Sequence, residues 1–149
     1  MLEALRDVSD FEGKEGGMFC LLDEQTGEFL VEPTIIGQIV NGKAEIYTSF
    51  CQEKARRLLE HIKNGRDNQH WLSWESRNPD LDQWGGAICD ENFHIWSFSG
   101  LTEEQDEALM IMSAHLCGQM INAAPKWLSE ISGNRIILDN PYLFWHKPE

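Results

Sequence analysis

The strongest constraint in this chain is a single junction at which the spacing of apolar residues changes from two to between three and four. From Phe93 to Phe98 the side chains alternate, so that Phe93 and Ile95 share one face of a strand while His94, Trp96 and Phe98 share the other. Ser99-Gly100 breaks that strand. Thr102 with Gln105 then makes a capping box, and Glu103, Glu104 and Asp106 place acids in the first turn, where the helix dipole favours them. Ala108, Leu109, Met112, Leu116 and Met120 recur at helical spacing, and Pro125 ends the helix near Ala123. A strand therefore feeds directly into a long helix. Trp84 to Cys89, across Asp90-Glu91-Asn92, supplies an antiparallel partner, and this hairpin is expected at the centre of a sheet.

The upstream half repeats the logic. The charged opening carries a weak helical spacing of Leu2, Leu5 and Val8. Met18–Leu22 and Phe29–Val31 flank a turn containing Gly27 and read as a hairpin; Pro33 interrupts it. Ile35–Val40 and Ala44–Tyr47 flank Asn41-Gly42, a favoured tight-turn pair, so residues 17–47 are expected to form two hairpins or a meander. Ser49 and Gln52 make another capping-box pattern, and Ala55, Leu58, Leu59 and Ile62 predict a helix from about Cys51 to Asn64, with Gly65 after its end. The polar segment from Arg66 to Gln83 reads as a long loop, within which 70–74 has the composition of a short strand. A short helix around Lys126–Ile131, a strand Arg135–Leu138 and an aromatic tail through Trp145 and His146 close the chain. Strands grouped around two main helices predict an α+β fold with an antiparallel sheet.

Composition narrows the function classes. Hydrophobic residues make up 42% of the 149, with six Trp and seven Phe, and this excludes disordered, collagen-like and disulfide-scaffold classes. No linker or repeat divides residues 1–149, so one domain is expected. Twelve Lys and Arg against 25 Asp and Glu give a net charge of −13, which repels nucleic-acid phosphates and anionic membrane surfaces alike. Neither is an expected partner. The opening residues lack the apolar stretch of a secretory signal, and a cytoplasmic protein is expected. Cys20, Cys51, Cys89 and Cys117 lie about thirty positions apart without a Cys-x-x-Cys pair, and are read as reduced, small apolar residues. Cys51, placed at a helix N-terminus, is the candidate for a reactive thiol.

Catalytic and metal signals are sparse. His61, His70, His94, His115 and His146 include no pair at the spacing that would put two imidazoles on one metal, and no metal site is assigned. No phosphate-binding glycine loop exists, because Gly16-Gly17 and Gly85-Gly86 stand as isolated pairs. Asp90 and Glu91 read as solvated turn carboxylates. No nucleophile with an attendant base is recognisable, although a site assembled only in three dimensions stays open. Two features suggest ligand binding instead. His94, Trp96 and Phe98 can line an aromatic pocket for a flat ligand, with core packing as the plain alternative. Lys54, Arg57 and His61 share one helix face within a locally basic run, which could hold carboxylates or serve as a solvated, ion-paired surface.

Gln52-Glu53-Lys54-Ala55-Arg56, and the stretch from Phe98-Ser99-Gly100-Leu101-Thr102 to Gln105-Asp106-Glu107-Ala108, are similar to segments of the haem-binding-protein-like GlcG/HbpS family. The resemblance spans about residues 48–121. It implies a profilin-like antiparallel sheet with helices on one side, and small-ligand or haem binding. Haem, if bound, would lie near His94 and Trp96 with its carboxylates toward Lys54 or Arg57. The other functional expectation is a protein-interaction module acting as a homodimer, with the aromatic hairpin and the Trp145 region against the partner.

Overall fold

In the computed structural model, which describes residues 1–65, 71–121 and 123–144, four strands form one antiparallel sheet. They are β1 (Glu15–Asp23), β2 (Phe29–Gln38), β3 (Ala87–Cys89) and β4 (His94–Ser99), standing in the order β2-β1-β4-β3. Five α-helices accompany them: α1 (Leu2–Val8), α2 (Ala44–Asn64), α3 (Glu103–Leu116), α4 (Ala124–Ser132) and α5 (Arg135–Asp139). The fold is α+β. The expected hairpin is present, with β4 in the sheet interior and β3 at its edge.

Alternation along the strands divides the core into two. Met18, Cys20, Leu22, Ala87, Cys89 and Ile95 face α2, where they meet Cys51, Ala55, Leu58 and Leu59. Trp96, Phe98 and Ile88 face the other way, onto Ala108, Leu109, Ile111 and Met112 of α3, with Leu5 of α1 and Leu128 of α4 beside them. The two main helices thus lie on opposite faces of the sheet, not on one. Backbone crowding explains the isolated glycines: a Cβ on Gly17 would sit 2.2 Å from the Ser99 carbonyl oxygen, and one on Gly100 would sit 2.5 Å from that of Gly16. These glycines let β1 and the end of β4 close together.

Several local expectations are corrected. Ala44–Tyr47 is the first turn of α2 and not a strand. Gly42 turns the chain at φ +82°, after which Tyr47, Cys51, Ala55 and Leu58 continue one helical stripe. Ser49 therefore lies inside α2 without a capping role, Cys51 is well within the helix, and Gly65 ends it in an extended conformation. β2 runs through Pro33, which an edge strand tolerates. Trp84 to Gly86 precede β3, and Ser73–Ser76 is a 3-10 turn, with only Leu72 bridging to Ile88. Phe93 lies in the turn at φ +66° and is exposed.

The Thr102 capping box forms as expected, the hydroxyl accepting from the Gln105 N–H. α3 stops at Leu116, because Gly118 takes a left-handed turn; Leu116 is exposed, and Met120 is buried from beyond the helix. Arg135–Leu138 is helical, its start capped by the Asn134 side chain. The same Asn134 donates to Glu107 at 2.8 Å, and the Ser132 hydroxyl donates to the same carboxylate oxygen at 2.6 Å. Glu107 is fully buried. Burial pushes its carboxyl up to about 7 against these two hydrogen bonds.

All four cysteines are free thiols; Cys20, Cys51 and Cys89 are buried, whereas Cys117 is exposed. The sulfurs of Cys20 and Cys51 approach to 3.3 Å across the interface between β1 and α2. Among the described residues no helix is long and apolar enough to cross a membrane, and no group of His, Cys, Asp and Glu could hold a metal ion.

Candidate functional site

The sequence-predicted site residues divide among three places. Trp96 and Phe98 do line a cavity, of about 450 Å³, with Phe19, Ile36 and Leu2 of α1. Phe19 and Trp96 are tilted neighbours with ring centroids 5.9 Å apart. Among the described residues no basic side chain lines this cavity.

His94 belongs to a different cluster, at the start of β4. Asp90 is not a solvated turn carboxylate but is 1% exposed and accepts four hydrogen bonds. Its Oδ1 takes the backbone N–H groups of Asn92 and His94, while its Oδ2 lies 3.0 Å from His94 Nδ1 and 2.8 Å from the Trp96 indole nitrogen. The Asp90 carboxylate therefore fixes the turn and orients the first residues of β4.

Lys54 and Arg57 gather at the opposite end of that strand. The Lys54 ammonium is 3% exposed and donates to the Phe98 carbonyl at 2.9 Å and to Asp106 Oδ2 at 2.9 Å. Phe98 is four residues beyond His94, about 13 Å along a strand. Asp106 Oδ1 accepts the Leu101 N–H at 3.0 Å. Burial raises the Asp106 carboxyl, and Lys54 and the Leu101 amide oppose that rise. Gly86 makes room for the pair: a Cβ there would lie 2.8 Å from Lys54 Nζ and 2.9 Å from the Asp106 Cβ. Arg57 pairs with Glu53 and donates to the carbonyls of Ser73 and Trp84 and to the Ser76 hydroxyl. Burial lowers its guanidinium, with Glu53 opposing. Arg57 thus ties the 73–84 loop to α2. His61 lies seven residues beyond Lys54, half-buried toward the end of the helix.

This end holds a cleft of about 380 Å³. Tyr47 and Phe50 of α2 and Trp84 supply aromatic walls; Ser99, Gly100 and Thr102 supply backbone at the entry to α3, and Lys54 and Asp106 border it. The two stretches 52–56 and 98–108, far apart in the chain, meet here through the Lys54–Asp106 pair. Each motif shows its charged residue in sequence, but Tyr47, Phe50 and Trp84 were invisible as lining because Tyr47 read as strand and Trp84 as part of a hairpin. A third hollow, of about 420 Å³, lies beside Trp71 and Trp127, whose rings meet edge to face at 5.8 Å. His70, Trp145 and His146 lie outside the described residues.

No family model matches this chain, and neither does any curated protein or solved structure.

Proposed function

We infer that this protein is a small-molecule-binding or regulatory domain of the cytoplasm, with the cleft between α2 and the start of α3 as its site. The ligand is a planar aromatic acid that sets its ring among Tyr47, Phe50 and Trp84 and an oxygen against Lys54. The supporting observation is the state of the ammonium. Lys54 has three N–H donors, two are taken by Phe98 and Asp106, and the third has no acceptor among the described residues on a side chain that borders the cleft. Asp106 is engaged on both oxygens and balances the ammonium, and Glu103, which also lines the cleft, is ion-paired with Arg77, so the site offers a hydrogen bond without a large excess of charge. The volume is at the lower end of the roughly 300–1,000 Å³ typical of ligand sites, which favours one or two fused rings over a tetrapyrrole.

Ligand-observed NMR with benzoate, 2-naphthoate and the corresponding amides tests this reading, with haem as a competing probe. Saturable one-to-one binding of an aromatic acid is expected, weakened strongly by Phe50→Ala and unchanged by Leu2→Ala in the aromatic cavity beneath α1. Absence of binding, or binding indifferent to Phe50→Ala, would overturn it. So would a stoichiometric Soret shift with haem that His94→Ala abolishes, since that would place the ligand at the other end of β4.

A further inference from the structure

The two edges of the sheet are treated differently. At the β3 edge, Leu72 bridges Ile88 and the Cys89 N–H donates to the Trp71 carbonyl, so a neighbouring segment covers the strand. At the other edge, β2 pairs with β1 alone among the described residues, and its outer backbone is open. Leu30, Ile35 and Val40 around this edge are each more than half exposed. An open edge with exposed aliphatic side chains is a template for another strand. The charge pattern sharpens the point: in a chain of net charge −13, the run 29–42 carries one ionisable residue, Glu32. Pro33 has no N–H to offer and marks one limit of usable edge. From Thr34 to Gln38, where β2 ends, there is neither proline nor charge, and Gly37 at φ +75° is the one irregular position.

We propose that this edge pairs antiparallel with the same edge of a second copy, about a two-fold axis at Ile36, extending four strands into a continuous sheet of eight. A two-fold interface is self-complementary, so each contact occurs twice. Centring on Ile36, the midpoint of the usable edge between Pro33 and the end of β2, sets Thr34 opposite Gln38 of the second copy; past the paired edge, Val40 of one copy comes beside Glu32 of the other. Lys43 follows Val40 within one turn, its N–H donating to the Val40 carbonyl at 3.1 Å. The register therefore brings each Lys43 beside the other copy's Glu32, matching the one acid near the edge with a cation. This match selects a second copy over an unrelated extended peptide. Trp96 and Phe98 of the aromatic hairpin are buried in the chain's own core, so those two side chains are not free to meet a partner.

Sedimentation velocity across a wide concentration range is the test. A reversible dimer is expected, converted to monomer by Ile35→Lys with the far-ultraviolet circular dichroism unchanged. Lys43→Glu and Glu32→Lys are surface changes that leave folding intact, and each should weaken self-association about tenfold through its two symmetry-related contacts. An equimolar mixture of these two variants should recover the lost affinity, because the heterodimer restores both opposite-charge contacts. A chain monomeric at every concentration would overturn the proposal. A dimer indifferent to the charge reversals, or a mixture no tighter than either variant alone, would also overturn it, leaving a different surface or a different partner for β2.

Discussion

The Lys54 ammonium on α2 meets the Asp106 carboxylate on α3 at 2.9 Å, although the two helices lie on opposite faces of the sheet. The meeting is possible only where the sheet ends, at the bare backbone of Gly86 and the carbonyl of Phe98. The pair is a clasp around the end of the sheet.

Removing one partner leaves the other charge buried. Lys54→Met or Asp106→Leu alone should cost about 3–5 kcal/mol, and the double replacement Lys54→Met with Asp106→Leu should recover most of that loss. Urea denaturation of the three variants measures it, and additive losses would show that the two groups act independently.

Glu107 makes stability depend on pH in a definite direction. Its folded value of about 7 lies above the ordinary 4.5, so the native state holds the proton more tightly than the unfolded chain. Its contribution, about 3 kcal/mol, is complete below about pH 4.5 and is lost as pH rises through about 7. Glu107→Gln keeps the acceptor for Ser132 and Asn134 without the titration. Its denaturation midpoint should lose this pH dependence, and a variant that tracks the parent across that window would contradict the assignment.

Thiol accessibility should follow burial. A thiol reagent is expected to modify Cys117 alone in the native protein and all four cysteines in denaturant. Fewer than four thiols after denaturation would mean that Cys20 and Cys51 had become a disulfide.

The inner face of α3 should be sharply graded. Leu109→Ala and Met112→Ala remove side chains that are 2% exposed and should each destabilise the fold by about 2–5 kcal/mol. Leu116→Ala, at the exposed end of the helix, should change stability by less than about 0.5 kcal/mol. Similar losses at all three positions would mean that α3 is rotated or longer than described.

Features fixed by neighbours in sequence were legible before the structure. Thr102, Gln105 and the opposed faces of Ile95 and Trp96 follow from local hydrogen bonding and from the pleat. The errors arose where two local signals competed. Asn41-Gly42 does turn the chain, but it leads into a helix, because the stripe through Tyr47 and Cys51 outweighs the hairpin preference of the turn. Ile136-Ile137 has strand-like composition, yet the Asn134 cap starts a helix. The candidate site was half legible: Lys54 was singled out, whereas its partner Asp106 and its aromatic neighbours depend on which strands adjoin, and no local spacing encodes that. The same register sets His94 apart from Lys54, so the joint site expected from them is divided between the ends of one strand.

The order of the strands also bears on how fast the chain can find its fold. The inner β1–β4 pairing joins residues about 75 positions apart, and α2 lies between them in the chain. The two outer pairings are each local hairpins. The hairpins and α2 are therefore expected to form early, leaving closure of the large loop as the rate-limiting event. Until that closure, the inner edges of both hairpins stay open, so the refolding yield should fall as protein concentration rises.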